Sequence, residues 1–184
     1  ILTGRKFVTT FHGTYNFESK LKKFYNSVMV KSDLIIAGSN FIFSHIKENY
    51  SNYLKHEKKF LVIFRGINIE YYNPKKIKQE DEVKILNKWK IDKEKKIILL
   101  PGRLTRWKGQ EIFLEALSKL KTSEPEKKFY AIILGSDQGR KIYKKKLQRL
   151  VEQYRLIDEI RFIDNFKLMP LAYKIADIVV SSSI

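Results

Sequence analysis

The sequence contains no cysteine, which excludes disulfides and thiolate metal sites. Its three histidines, His12, His45 and His56, show no metal-ligand spacing. No apolar run approaches the roughly 20 residues that a membrane-crossing helix needs, and no signal-peptide pattern is present. There is no low-complexity segment and no evident internal repeat. Acidic residues are scarce beside basic ones: 20 Asp+Glu face 37 Lys+Arg, for a formal net charge of +17. Such an excess attracts nucleic acid, anionic lipid or phosphorylated compounds. The lysines are scattered through almost every segment, so the bulk charge alone selects none of these. A nucleic-acid binder would interleave basic residues with exposed aromatics on one surface. Here the aromatics fall mostly at positions expected to face a core, and no recognition motif appears, so nucleic acid is not expected as a partner.

What is present is a globular balance, 43% hydrophobic and 31% charged over 184 residues. That length suits one ordinary domain or two small ones. The chain opens on Ile1-Leu2 without Met and closes on the apolar Ile184 after a strand-like run, so both ends read as cuts through a larger protein.

Short apolar runs alternate with amphipathic stretches. Phe7–Phe11 reads as a strand, ended by His12-Gly13. From Glu18 onward Leu21, Phe24, Tyr25, Val28 and Met29 fall on one helical face. Its lysines suggest either a solvated surface over a buried stripe or a rest on anionic lipid. Asp33–Gly38 reads as a strand, with Ser39 and Asn40 as N-cap types for a helix to about Tyr50. Phe60–Phe64 is a third strand, ending at Arg65-Gly66. The turn-rich stretch from Asn73-Pro74 predicts a boundary, 1–74 against 75–184. Beyond it come a helix over Val83–Lys90, a strand over Lys96–Leu100, a basic loop and a helix to Leu120. Strands follow at Phe129–Leu134, Ile160–Ile163 and Asp177–Ser182, with helices from Arg140 and over Leu168–Ala176. Alternation of this kind predicts an α/β protein with two mainly parallel sheets, both incomplete.

The most informative stretch is Ile97–Leu120, IILLPGRLTRWKGQEIFLEALSKL. Strand, basic loop and helix follow in order. A helix N-terminus offers unpaired N–H groups and partial positive charge, and Arg103, Arg106 and Lys108 add full charges there. This predicts an anion site. It is not a phosphate-binding P-loop: Trp107 stands where a second Gly is required, and no Ser or Thr follows Lys108. There is no GxGxxG either, since Gly135 and Gly139 are wrongly spaced.

GRLTRWKGQEIFLEAL resembles the Gly-Arg…Lys-Gly motif of retaining glycosyltransferases of family 4, which have the two-domain GT-B fold. Five further segments look like those of the family, in the right order: FHG at Phe11–Gly13, SDLIIAGSNFIFSHI, VIFRGINIEYYNP, AIILGSDQGRKIYKKKL and YKIADIVVSSS. Together they cover essentially the whole chain as the middle of such an enzyme. The resemblance implies two incomplete Rossmann-like domains. Residues 1–74 would be the C-terminal part of the first, acceptor-side domain, and 75–184 the N-terminal part of the second, donor-binding one.

It also implies transfer of a sugar from a nucleoside-diphosphate donor to a lipid or saccharide acceptor, with retention. The setting would be cell-surface polysaccharide or lipopolysaccharide synthesis in the cytoplasm, with a peripheral contact on anionic membrane. No metal cofactor would be required: Arg103 and Lys108 would stabilise the charge that builds on the leaving diphosphate. Arginine suits a bidentate phosphate contact and lysine a point charge. His12, with Gly13 behind it, would stand against the donor sugar. Gly102 and Gly109 would let backbone and helix approach the phosphates. Gly135 and Ser136 would line the nucleotide pocket, and Asp164, Asn165 and Phe166 would lie near the base. Arg106 is not demanded by the motif, and His45 and His56 read as ordinary packed or surface histidines. The family's paired glutamates would follow Ile184, so residues 1–184 alone are expected to be inactive. A catalytically silent nucleotide-binding module is the alternative of a different class.

Overall fold

The structure is a computed structural model that describes residues 4–15, 19–54 and 59–184. His56 and the expected helix start at Glu18 lie outside the described residues. The chain divides into two compact units, Ile1–Ile67 and Asn68–Ile184.

The first unit runs β1 (Val8–Phe11), α1 (Lys20–Asn26), β2 (Leu34–Ala37), α2 (Asn40–Tyr50), β3 (Lys59–Val62). The strands pair in the order β1-β2-β3, all parallel. Parallel pairing requires a crossover between successive strands, which the two helical segments supply. Ser39 caps α2, its hydroxyl accepting the Ile42 N–H at 3.2 Å. Phe11, Val30, Ile35, Ala37, Ile42, Ile46 and Tyr50 form the core.

Helix α1 departs from expectation. Its periodic apolar residues are not core: Leu21 is 82% exposed, Phe24 63% and Tyr25 80%. The helix is also short. Ser27 Oγ donates back to the Phe24 carbonyl at 2.6 Å, a bond that competes with the helical ladder. The chain tightens into a 3₁₀ turn over Ser27–Lys31, and Val30 from that turn reaches the core instead.

The second unit begins at Asn68, so the Asn73-Pro74 turn lies within it. Tyr72 packs its ring on Tyr173 of the same unit, and the Tyr71 hydroxyl donates to the Lys167 carbonyl at 3.4 Å. Its elements are α3 (Gln79–Trp89), β4 (Lys96–Pro101), α4 (Gln110–Ser123), β5 (Phe129–Leu134), α5 (Lys141–Gln153), β6 (Ile160–Ile163), α6 (Met169–Ile175) and β7 (Ile178–Val179). Helix α3 starts four residues before the apolar pattern that predicts it. Glu80, Asp81 and Glu82 fill its first turn, where negative charge is favoured by the helix dipole.

The sheet order is β6-β5-β4-β7, every pair parallel. Side chains alternate across it as the pleat requires. Ile98, Leu100, Ala131 and Ile133 pack under α4 and α5 with Phe113, Leu114 and Leu147. Ile97, Leu99, Ile132 and Leu134 pack on the opposite face with Trp89, Leu171 and Ile175. The unit is therefore a three-layer α/β/α sandwich. Strands β4, β5 and β6 step one way across the sheet, and β7 returns to the far side of β4. The order reverses there, which makes the carboxyl end of β4 a topological switch point, the place where such sheets bind ligands. Among the described residues no helix is long and apolar enough to cross a membrane.

Candidate active site

Four loops leave the carboxyl edge of the second sheet, after Pro101, Leu134, Ile163 and Val179. The first two are tied together. Gly102 N donates to the Leu134 carbonyl at 2.8 Å and Leu104 N to the Ser136 carbonyl at 3.1 Å. Gly102, Arg103, Gly135 and Ser136 thereby line one open cavity of about 220 Å³ together with Asn165, Phe166 and Met169. The basic loop continues through a 3₁₀ turn, Arg106–Lys108, into Gly109 and α4. The Lys108 side chain passes over Gly102, where an added Cβ would meet its methylenes at 3.5 Å. Arg103 and Lys108 are thus brought to one corner, at the switch point between β4 and β7.

Neither cation is neutralised by a carboxylate among the described residues. Arg103 Nη1 donates to Gln138 Oε1 at 3.4 Å and Lys108 Nζ to Ser183 Oγ at 3.4 Å. Both partners are neutral and both contacts are long, so the charges remain available to an anion.

Three residues that the motif reading did not single out fix this corner. Gln110, wholly buried at the start of α4, donates from Nε2 to the Arg103 carbonyl at 2.9 Å. The Tyr143 hydroxyl donates in turn to Gln110 Oε1 at 3.3 Å. Burial, helped by the Glu111 charge, pushes the Tyr143 phenol up to about 12, so it stays a proton donor. Ser182 Oγ donates to the Lys108 and Gly109 carbonyls at 3.1 and 3.0 Å. A buried glutamine immediately after Lys-Gly was the one available sequence signal. The contact of Ser182 spans more than seventy residues and has none.

The glycines of these two loops serve the backbone. A Cβ on Gly135 would stand 2.2 Å from the Gly102 carbonyl oxygen, and one on Gly109 would stand 1.9 Å from that of Ser182. Gly109 also holds φ at +64° as N-cap of α4. Asp164, expected near the base, holds Lys144 in an ion pair.

His12 and Gly13 belong to the first unit, where His12 follows β1 and is exposed. His45 is a satisfied core histidine. Its Nε2 lies 2.8 Å from the Thr14 carbonyl, and Asn49 Nδ2 lies 3.2 Å from its Nδ1. Donation by Asn49 makes Nδ1 the acceptor and places the ring proton on Nε2, toward Thr14. His45 therefore ties down the segment that follows His12.

Residues 81–184 match the family model described as Glycosyl transferases group 1. The chain belongs to this family. A crystal structure of a glycosyltransferase from Rickettsia africae is 36% identical to it, with a TM-score of 0.82, covering 100% of this chain and 46% of that one. An uncharacterised glycosyltransferase of Methanocaldococcus jannaschii is 30% identical over 138 residues, 70% of this chain and 31% of the relative. HepE of Anabaena, solved in complex with UDP-glucose, matches at 20% identity and a TM-score of 0.75, over 97% of this chain and 47% of that one. The last likeness speaks for the fold. The fold is of the GT-B type, α/β with parallel sheets, and the chain spans about half the length of the solved structures it matches. The matched region covers the whole loop from Gly102 to Gly109 and the loops after Leu134 and Val179.

Proposed function

We propose that this chain is the central part of a retaining glycosyltransferase of family 4, and that the Gly102–Gly109 loop holds the diphosphate of a nucleotide-sugar donor. The observation that carries the reading is the convergence of Arg103 and Lys108, unpaired with any described carboxylate, on the switch point where Gly102, Gly135 and Ser136 line a cavity. Breaking the donor's glycosidic bond builds negative charge on the leaving diphosphate. Fixed cations aimed at that charge lower the barrier without reorganising during the reaction. On this reading they take the part of a divalent metal, and the 220 Å³ cavity beside Asn165 and Phe166 takes the base. The relatives support it: one related fold is described in complex with UDP-glucose.

The test is calorimetric titration of UDP, GDP and ADP into the chain, with EDTA present. One diphosphate should bind at a single site. Arg103→Ala and Lys108→Ala should each weaken it about tenfold or more, the loss expected for one charge-assisted contact. Unchanged affinity in both variants would remove the loop from the donor site, and binding only with Mg²⁺ would overturn the metal-free part. In the complete protein, His12→Ala should depress turnover and leave diphosphate affinity intact. Residues 1–184 alone should bind donor yet not turn it over.

The acceptor on this reading is a lipid or saccharide of a cell-surface polymer such as lipopolysaccharide. The exposed stripe Leu21, Phe24, Tyr25 and Val28 beside Lys20, Lys22 and Lys23 suits a peripheral rest on anionic lipid. Vesicles with and without anionic lipid test this; equal binding to both would count against an electrostatic contact.

A further inference from the structure

A second cavity of the same unit shares no wall with the first. It is an open groove of about 620 Å³ between the 3₁₀ turn of the basic loop and the first turns of α5. That volume is typical of sites for small molecules. Three apolar or aromatic side chains line it: Trp107, 67% exposed, Ile142, 88% exposed, and the half-buried Tyr143. An isolated exposed isoleucine carries no message, but an isoleucine and a tryptophan along one groove form a patch that water covers poorly.

The rim is cationic. Arg106, Arg140 and Lys141 make no ion pair with a carboxylate among the described residues, and the fourth cation, Lys146, is paired with Glu111. Thr105, only 6% exposed, closes the groove wall beside Arg106.

An apolar lining and a cationic rim describe an amphiphile with an anionic head. We propose that this groove binds a lipid phosphate, with its chain along Trp107, Ile142 and Tyr143 and its phosphate between Arg106 and Arg140. A free phosphate would leave the apolar floor wet, and a neutral lipid would leave three cations without a counter-charge. The proposal stands on the groove alone. It does not depend on the sugar-transfer reading, whose residues Arg103 and Gly135 line the other cavity.

Dodecyl phosphate below its micellar concentration, at physiological salt, is the probe. Trp89 is buried and Trp107 exposed, so a blue shift of tryptophan emission on binding reports Trp107. Saturable one-to-one binding with that shift is expected, confirmed by calorimetry. Ile142→Ser should weaken it about tenfold, the loss of one buried aliphatic side chain. Arg140→Gln with Lys141→Gln should weaken it about thirtyfold. The charge-matched pair Lys84→Gln with Lys88→Gln, on α3, should change it less than twofold. Equal affinity for inorganic phosphate or for dodecyl maltoside would overturn the proposal. So would equal loss in the α3 control, or displacement by a short single-stranded oligonucleotide, which would make the groove a nucleic-acid surface. UDP titration of the same samples separates failure here from failure of the donor site.

Discussion

Glycine is the residue whose role changes most once the chain is folded. Gly102 and Gly109 sit in the loop after β4, where the obvious explanation is close approach of phosphate, and Gly135 sits in the neighbouring loop after β5, where it is lining of the nucleotide pocket. Two of them are explained without any ligand. Gly135 lies against the Gly102 carbonyl and Gly109 against the Ser182 carbonyl, closely enough that a Cβ would overlap a backbone oxygen. Backbone cannot rotate aside as a flexible side chain can, so relief would require parting β4 from β5, or α4 from the chain that follows β7. Gly135→Ala and Gly109→Ala are each expected to destabilise the chain by roughly 3 kcal/mol or more. Gly139 is the internal control. Its φ is also positive, at +81°, but a Cβ there meets nothing within 4 Å. Gly139→Ala should cost only the left-handed backbone penalty, roughly 1–2 kcal/mol. Urea unfolding of the three variants checks the order. A Gly135→Ala protein as stable as Gly139→Ala would mean the loops are not held as close as described.

At the level of elements, one device occurs twice. Asp33 precedes β2 and accepts the Phe7 N–H at 2.8 Å on one carboxylate oxygen, while Lys6 approaches the other at 3.5 Å. Asp177 precedes β7 and accepts the Ile97 N–H at 2.8 Å, with Lys96 Nζ at 2.8 Å on its second oxygen. In both cases the aspartate N–H returns the bond, to the carbonyl of Phe7 or Ile97. A carboxylate thus fixes the register at the start of a parallel pair, where the ladder would otherwise fray. The sequence holds the trace of this in S-D-L-I-I-A-G-S and A-D-I-V-V-S-S-S, too short to read as a repeat before the lysine-plus-apolar partners Lys6-Phe7 and Lys96-Ile97 are seen across the sheet. The bond from Lys96, then that from the Ile97 N–H, holds the Asp177 carboxyl below the usual carboxylate range. Its folded value being depressed, its contribution is present above the unfolded carboxylate value near 4 and is lost as pH falls through the lower folded value. Asp177→Asn should cost about 1 kcal/mol at neutral pH and flatten the stability profile below about pH 4 relative to the parent. An acid limb of unchanged steepness would show that other carboxylates account for it.

Over the whole molecule, the central strands β4 and β5 were legible because each is a near-continuous apolar run, as buried parallel strands must be, while β1 (VTTF) and β6 (IRFI) were legible from β-branched and aromatic residues. From Ile97 to Leu100 every residue is buried, alternately against the two helical layers. The strand, basic loop and helix that bring Arg103 and Lys108 to one corner were legible from the run Ile97–Leu120 itself, whereas preferring those two cations over Arg106 came from the family resemblance. What escaped depends on contacts distant in sequence: the tie from Ser182, the buried Gln110, and the solvent-facing stripe of α1, whose period is the same whether protein or water lies against it. Net charge is the remaining property read from composition alone, and it makes a prediction of its own. A chain of +17 will bind duplex DNA at low salt whatever its function, because released counterions drive the association. If the charge is diffuse, that binding should fall by about a thousandfold or more between 50 and 200 mM salt, as for several phosphate contacts at once. It should also be insensitive to Arg103→Ala beyond the loss of one contact. Diphosphate binding in the Gly102–Gly109 corner engages two cations in a shaped pocket, so it should fall far less over the same range. Parallel titrations in 50, 100 and 200 mM potassium chloride separate the two cases. Equal salt slopes for DNA and UDP would reduce the corner to general positive charge, whereas a steep slope for DNA beside a shallow one for UDP is the signature of a site.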